Sequence, residues 1–103
     1  MTIEHTTKGA VFKDIGFSPE KAAELEMKFY FLEAIRKFIE RQKMTQAQAA
    51  EFFGVQQPKI SNIKTGDATG MSLEYLVRLI SKTGGKFSYS FRQPRKGSVS
   101  LAA

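Results

Sequence analysis

Apolar residues recur at three- and four-residue steps through most of this chain and at two-residue steps near its end. Ala22, Leu25, Phe29, Leu32, Ile35 and Ile39 form one stripe, which predicts a long helix, or two helices with a break. The run Ser18-Pro19-Glu20 supplies its start. Ser18 caps the first N–H groups, Pro19 stands where no N–H is missed, and Glu20 faces the positive end of the helix dipole. Met27, Tyr30, Phe31, Ala34 and Phe38 lie off the stripe. The segment is thus apolar around too much of its circumference for an ordinary surface helix, so the fold covers both faces or a partner chain covers one.

After basic residues around Arg41 and Lys43, Thr45 with Gln48 makes a capping box that opens the next helix. From there Ala49, Ala50, Phe53, Val55, Ile60 and Ile63 are spaced around Gly54 as two short helices joined by a tight turn require. Ala50 removes the bulk that would hold the helices apart, and Gly54 takes the positive φ that redirects the chain. Ala50, Gly54, Val55, Ile60 and Ile63 are therefore assigned to packing of a helix-turn-helix over residues 45–66. Residues 65–70 read as a loop, and Ser72 caps a further helix with Leu73, Leu76, Val77 and Ile80 inward, stopped by Gly84 and Gly85.

Phe87, Tyr89 and Phe91 then alternate with Ser88, Ser90 and Arg92, a period of two that predicts a strand over residues 86–92. No second strand offers itself. The segment either pairs with its own copy in a symmetric dimer or lies against the helices as an extended edge. The expected organisation is a flexible arm over residues 1–17, a helix-turn-helix domain over 18–92 and a disordered basic tail over 93–103.

The second motif helix exposes Gln57, Lys59, Ser61 and Asn62. Gln57 and Asn62 have the paired donor and acceptor that match adenine, Lys59 suits guanine or a phosphate, and Ser61 suits either role. Lys43, Thr45, Lys64 and Thr65 flank the motif where phosphates would pass, and are assigned to backbone contacts. Charge changes this picture by its distribution. Residues 1–55 hold eight Lys/Arg and eight Asp/Glu, whereas residues 56–103 hold eight Lys/Arg against Asp67 and Glu74, so the whole net charge of +6 begins at the proposed reading helix. A polyanion partner follows, because phosphate neutralisation with counterion release supplies non-specific DNA affinity.

The pattern Gln46, Ala50, Gly54, Val55, Ile60, Ile63 and Gly66 resembles the helix-turn-helix of the lambda-repressor-like (Cro, XRE) family. The run from Phe12 to Phe17, the long helix after Ser18, the motif and the closing residues 84–91 together resemble small HigA-like antitoxins of type II toxin–antitoxin modules, over about residues 11–93. The resemblance implies an all-α, lambda-repressor-like bundle of about five helices with one short C-terminal β-strand, paired in a homodimer. It implies binding to a palindromic operator in double-stranded DNA and neutralisation of a cognate RelE-like toxin. Gln46 would hold a phosphate, and Gln57, Lys59 and Asn62 would read bases. Pro58 departs from the family, since many relatives carry a polar residue there. Val11, Phe12, Ile15 and Phe17 are the candidate toxin contact, or else dock on the chain's own long helix. A stand-alone XRE-type regulator and a protein-interaction module without DNA binding are the alternatives.

Composition narrows the remaining classes. Across 103 residues, 42% hydrophobic content is enough for one core without staples. With no cysteine, disulfides, thiolate metal sites and cysteine nucleophiles are excluded. His5 is the lone histidine and reads as an incidental surface residue. Glu20, Glu24 and Glu26 lie on a solvated helix start without a base or metal-ligand spacing, so no catalytic residue, metal or cofactor is expected. No apolar run approaches the ~18–20 residues that span a bilayer, and no signal-peptide pattern opens the chain. The expectation is a cytoplasmic, nucleoid-associated protein.

Overall fold

The structure is a computed structural model and describes residues 15–100. The long apolar stripe folds as one unbroken helix, α1 (Pro19–Arg41), with Ser18 Oγ accepting from the Lys21 N–H at 3.1 Å. It ends in a left-handed turn at Lys43 (φ 55°), where the Met44 N–H reaches the Ile39 carbonyl at 3.1 Å and the Lys43 N–H that of Glu40 at 3.0 Å. The motif helices follow as α2 (Gln46–Phe53) and α3 (Gln57–Thr65), and α4 (Leu73–Lys82) closes the set. The capping box is formed: Thr45 Oγ1 accepts from the Gln48 N–H at 3.1 Å, and Gln48 Oε1 accepts from the Thr45 N–H at 2.9 Å.

One core joins all four helices. α1 supplies Leu32, Ile35 and Ile39, α2 Ala49, Ala50 and Phe53, α3 Ile60 and Ile63, and α4 Leu76, Leu79 and Ile80. α1 packs on α3 and α4, and α2 on α3, so the long helix is the platform that fixes the motif. Met71, just before the cap Ser72, is 1% exposed and belongs to the same core. It occupies the position preceding an N-cap from which an apolar residue pins the first turn against residue Leu76, which is fully buried.

The second apolar face of α1 is only partly covered. Phe31, Ala34 and Phe38 pack on the core, with Phe38 against Phe52 and Phe53 at ring distances of 5.4 and 6.0 Å. Met27 and Tyr30 stay exposed.

Three expectations need correction. The described residues contain four helices, not about five. Residues 86–92 form no strand: among the described residues neither edge finds a ladder partner. Val77 does not face inward and is 47% exposed, because α4 turns Leu79 to the core instead. Val11 and Phe12 lie outside the described residues, while Ile15 and Phe17 are exposed. Beyond residue 92 the described chain is exposed, with a turn in which the Ser98 N–H reaches the Arg95 carbonyl at 3.0 Å.

Candidate nucleic-acid interface

The turn between α2 and α3 is fixed by backbone geometry and one distant side chain. Gly54 adopts φ 70°, and the Val55 N–H bonds the Ala50 carbonyl at 3.0 Å. The Phe53 carbonyl, left free by the end of α2, accepts from Lys82 Nζ at 2.6 Å. A Cβ on Gly54 would come within 3.3 Å of that ammonium and would have to hold a left-handed φ. The motif turn is therefore clamped by the last turn of α4.

This clamp sets how α3 is presented. Ile60 and Ile63 are fully buried and Val55 is half-buried, so the inner side of α3 is spent on the core. At 3.6 residues per turn, Gln57, Ser61 and Thr65 share the opposite face, with Pro58, Asn62 and Lys64 beside them. Gln57, Pro58, Lys64 and Thr65 are exposed, and Ser61 and Asn62 half-exposed. Pro58 stands in the first turn, where its missing N–H costs nothing. The outer face can thus offer amide and hydroxyl groups to base edges.

Lys59 is not on that face. It is half-buried on the flank, and its Nζ lies 5.5 Å from the centre of the Tyr75 ring on α4, a cation–π distance. Burial holds the Tyr75 hydroxyl above its ordinary pKa range. Neither Tyr75 nor Lys82 carries a local sequence signal, since each acts on a residue of another helix.

The residues assigned to phosphates ring the motif. Lys43 is exposed in the left-handed turn before α2, Gln46 is the first residue of α2, and Lys64 is exposed in the last turn of α3. Among the described residues, Lys43 and Lys64 pair with no carboxylate. Ion pairs instead run along α1, from Lys21–Glu24 at 3.7 Å and Lys28–Glu24 at 3.3 Å to Arg36 between Glu33 and Glu40 at 2.6 and 2.8 Å. The α2 N-terminus adds unpaired N–H groups suited to an anion. Thr45 Oγ1 is engaged as the α2 cap but keeps a hydroxyl proton to donate. Thr65 differs: its hydroxyl already donates to the Ser61 and Asn62 carbonyls at 3.2 and 3.1 Å, and these contacts must break before it can serve a phosphate.

The acidic start of α1 is structural. Glu24 is held below the usual carboxylate range by its hydrogen bond from Lys28 and the charge of Lys21. Among the described residues no group of His, Asp or Glu side chains is placed to hold a metal ion, and no helix is long and apolar enough to cross a membrane.

A family model for a helix-turn-helix domain matches residues 11–90. A solved structure described as an XRE family transcriptional regulator aligns with a TM-score of 0.67 at 26% identity, over 81% of this chain and 98% of its own. No curated protein matches the chain.

Proposed function

Because the chain belongs to the helix-turn-helix domain family, we propose that it is an XRE-type transcriptional repressor that binds a palindromic operator in double-stranded DNA as a homodimer. The observation that carries the proposal is the polar outer face of α3, held outward by fully buried Ile60 and Ile63 beside the unpaired cations Lys43 and Lys64. Gln57 and Asn62 read base edges, with Ser61 as an adjacent donor or acceptor, and Lys43, Thr45, Gln46 and Lys64 hold phosphates. Lys59 approaches from the flank.

Fluorescence anisotropy on the DNA upstream of its own gene, against random DNA at two salt concentrations, tests this. The expected result is a preference of about 10³ or more for the upstream fragment, with a log–log salt slope of several units. Gln57→Ala and Asn62→Ala should relax that preference, and Lys64→Ala should weaken all sequences alike. Equal, weak binding to both DNAs would overturn the proposal.

The HigA-like layout extends the reading to an antitoxin that autoregulates its operon and neutralises a RelE-like toxin. Ile15 and Phe17, 65% and 40% exposed, leave apolar surface there for a partner contact. A stand-alone regulator fits the fold equally well. Co-expression with the product of the adjacent gene separates the two: growth rescue that is lost in an Ile15→Asp, Phe17→Asp double variant supports the antitoxin, and an adjacent product without toxicity supports the stand-alone regulator.

A further inference from the structure

Lys59 and Tyr75 meet at the edge of the reading face, from two different helices. Tyr75 is the third residue of α4 and is fixed from the backbone outward. Its N–H donates to Ser72 Oγ at 3.0 Å, and Met71 and Leu76, which flank this first turn, are buried. The half-buried ring packs against the core and turns a face to Lys59 Nζ, 5.5 Å from its centre. Among the described residues Lys59 forms no ion pair, and the Tyr75 hydroxyl makes no hydrogen bond. Among these residues the ring face is the contact that places the ammonium.

The helical period relates this contact to the residues assigned to bases. Lys59 stands one turn before Asn62 and about 60° further round α3, so the two side chains are neighbours on one flank. Lys64 lies on the other flank, with Gln57, Ser61 and Asn62 between the two lysines. A lysine is a point charge on a flexible stem. Left unheld at the edge of α3, it would find a phosphate on any sequence, and phosphate contacts position without specifying. Held over a ring, it is presented from one side only.

We propose that Tyr75 determines sequence specificity through Lys59. Its ring keeps the ammonium beside Asn62, where it donates to the O6 and N7 acceptors of a guanine next to the base that Asn62 reads. The attraction between charge and ring uses none of the three N–H donors, so Lys59 serves the ring and a base at once. Tyr75 is thus a positioning residue outside the helix-turn-helix. The proposal rests on the DNA-reading function given above and adds to it a residue that sets which base is read.

Two measurements on the full chain test it, one of them without DNA. In the free protein the Lys59 ε-methylene protons lie over an aromatic face, so their NMR signal should be shifted upfield. Tyr75→Leu should remove that shift and Tyr75→Phe should keep it; a wild type without the shift overturns the proposal. With DNA, competition binding is run on operator variants that each change one base pair, Asn62→Ala marking the pair that Asn62 reads. Tyr75→Leu should cut discrimination at the neighbouring G·C pair about two- to five-fold, the size of a cation–π contact at a partly exposed site. Pairs read by Gln57 and Asn62 should be discriminated as before. Lys59→Met should lose the same G·C pair while leaving the core untouched, which keeps the test open if Tyr75→Leu lowers helical content. Equal loss at every pair in Tyr75→Leu makes Tyr75 a structural residue and overturns the proposal. Lys59→Met weakening all sequences alike overturns it too, since Lys59 is then a phosphate contact. A wild type that does not prefer the upstream fragment overturns the DNA reading itself, and this proposal with it, a result told apart by the wild type alone.

Discussion

At the scale of single residues, all four helices end in left-handed turns, with Gly84 (φ 78°) after α4, and the occupants differ in a way that bears on function. Gly54 and Gly66 close α2 and α3 with φ of 70° and 81°, but Lys43 holds φ 55° after α1. A side chain there strains the backbone by roughly 1–2 kcal/mol. Lys43 is exposed beside the α2 N-terminus, so the strain is consistent with a cation kept for phosphate. Lys43→Gly should raise stability by about 0.5–1 kcal/mol after the greater freedom of glycine in the unfolded chain is subtracted, seen as a Tm gain of roughly 2–6 °C. The same variant should lose DNA affinity on every sequence, with a salt slope smaller by about one per subunit. A gain in stability with unchanged affinity removes Lys43 from the phosphate set. Tyr75 is the second such case. Its ring sits 5.5 Å from Lys59 Nζ, a contact worth about 0.5–1 kcal/mol at a partly exposed site. Tyr75→Leu should therefore change operator preference by about two- to five-fold, as measured by competition binding, and Tyr75→Phe should not. In a Lys59→Ala background Tyr75→Leu should have no further effect; if it does, Tyr75 acts independently of Lys59.

At the scale of elements, α4 governs the motif without belonging to it. Lys82 in its last turn donates to the Phe53 carbonyl at 2.6 Å and so ties the end of α2 to the end of α4. Lys82→Met should cost about 1–2 kcal/mol in urea unfolding, given the strength of a charged hydrogen bond and its partial exposure. Amide exchange should quicken first around Gly54. Unchanged stability and exchange would show that water serves the carbonyl equally well. This clamp was not legible in the sequence, because its partners stand 29 positions apart and nothing local relates them. Features governed by local rules were legible: the cap at Ser18, the box at Thr45 and Gln48, the turn at Gly54, and burial of Ala50, Ile60 and Ile63. Val77 was misread because Leu76, Val77, Leu79 and Ile80 crowd one helix, and period alone does not decide which of them the core takes. Residues 86–92 carry a strand's period, yet a ladder needs a partner that one chain does not supply. At the interface, Gln57, Ser61 and Asn62 followed from period, whereas the withdrawal of Lys59 depended on where α4 places Tyr75.

At the scale of the whole molecule, the proposed homodimer and the polar outer face of α3 are linked if the protein works as a pair. Two recognition helices held by one dimer enter successive major grooves about 34–36 Å apart, one helical turn of DNA. The second engagement is then intramolecular, and its effective concentration, in the millimolar range for short connections, multiplies affinity by 10²–10⁴ over a single half-site. Inserting five base pairs between the operator half-sites turns the second one to the opposite side of the duplex. The wild type should then lose about 10²-fold or more in affinity, approaching the value for one half-site. A wild type that tolerates the insertion would show that each chain docks alone.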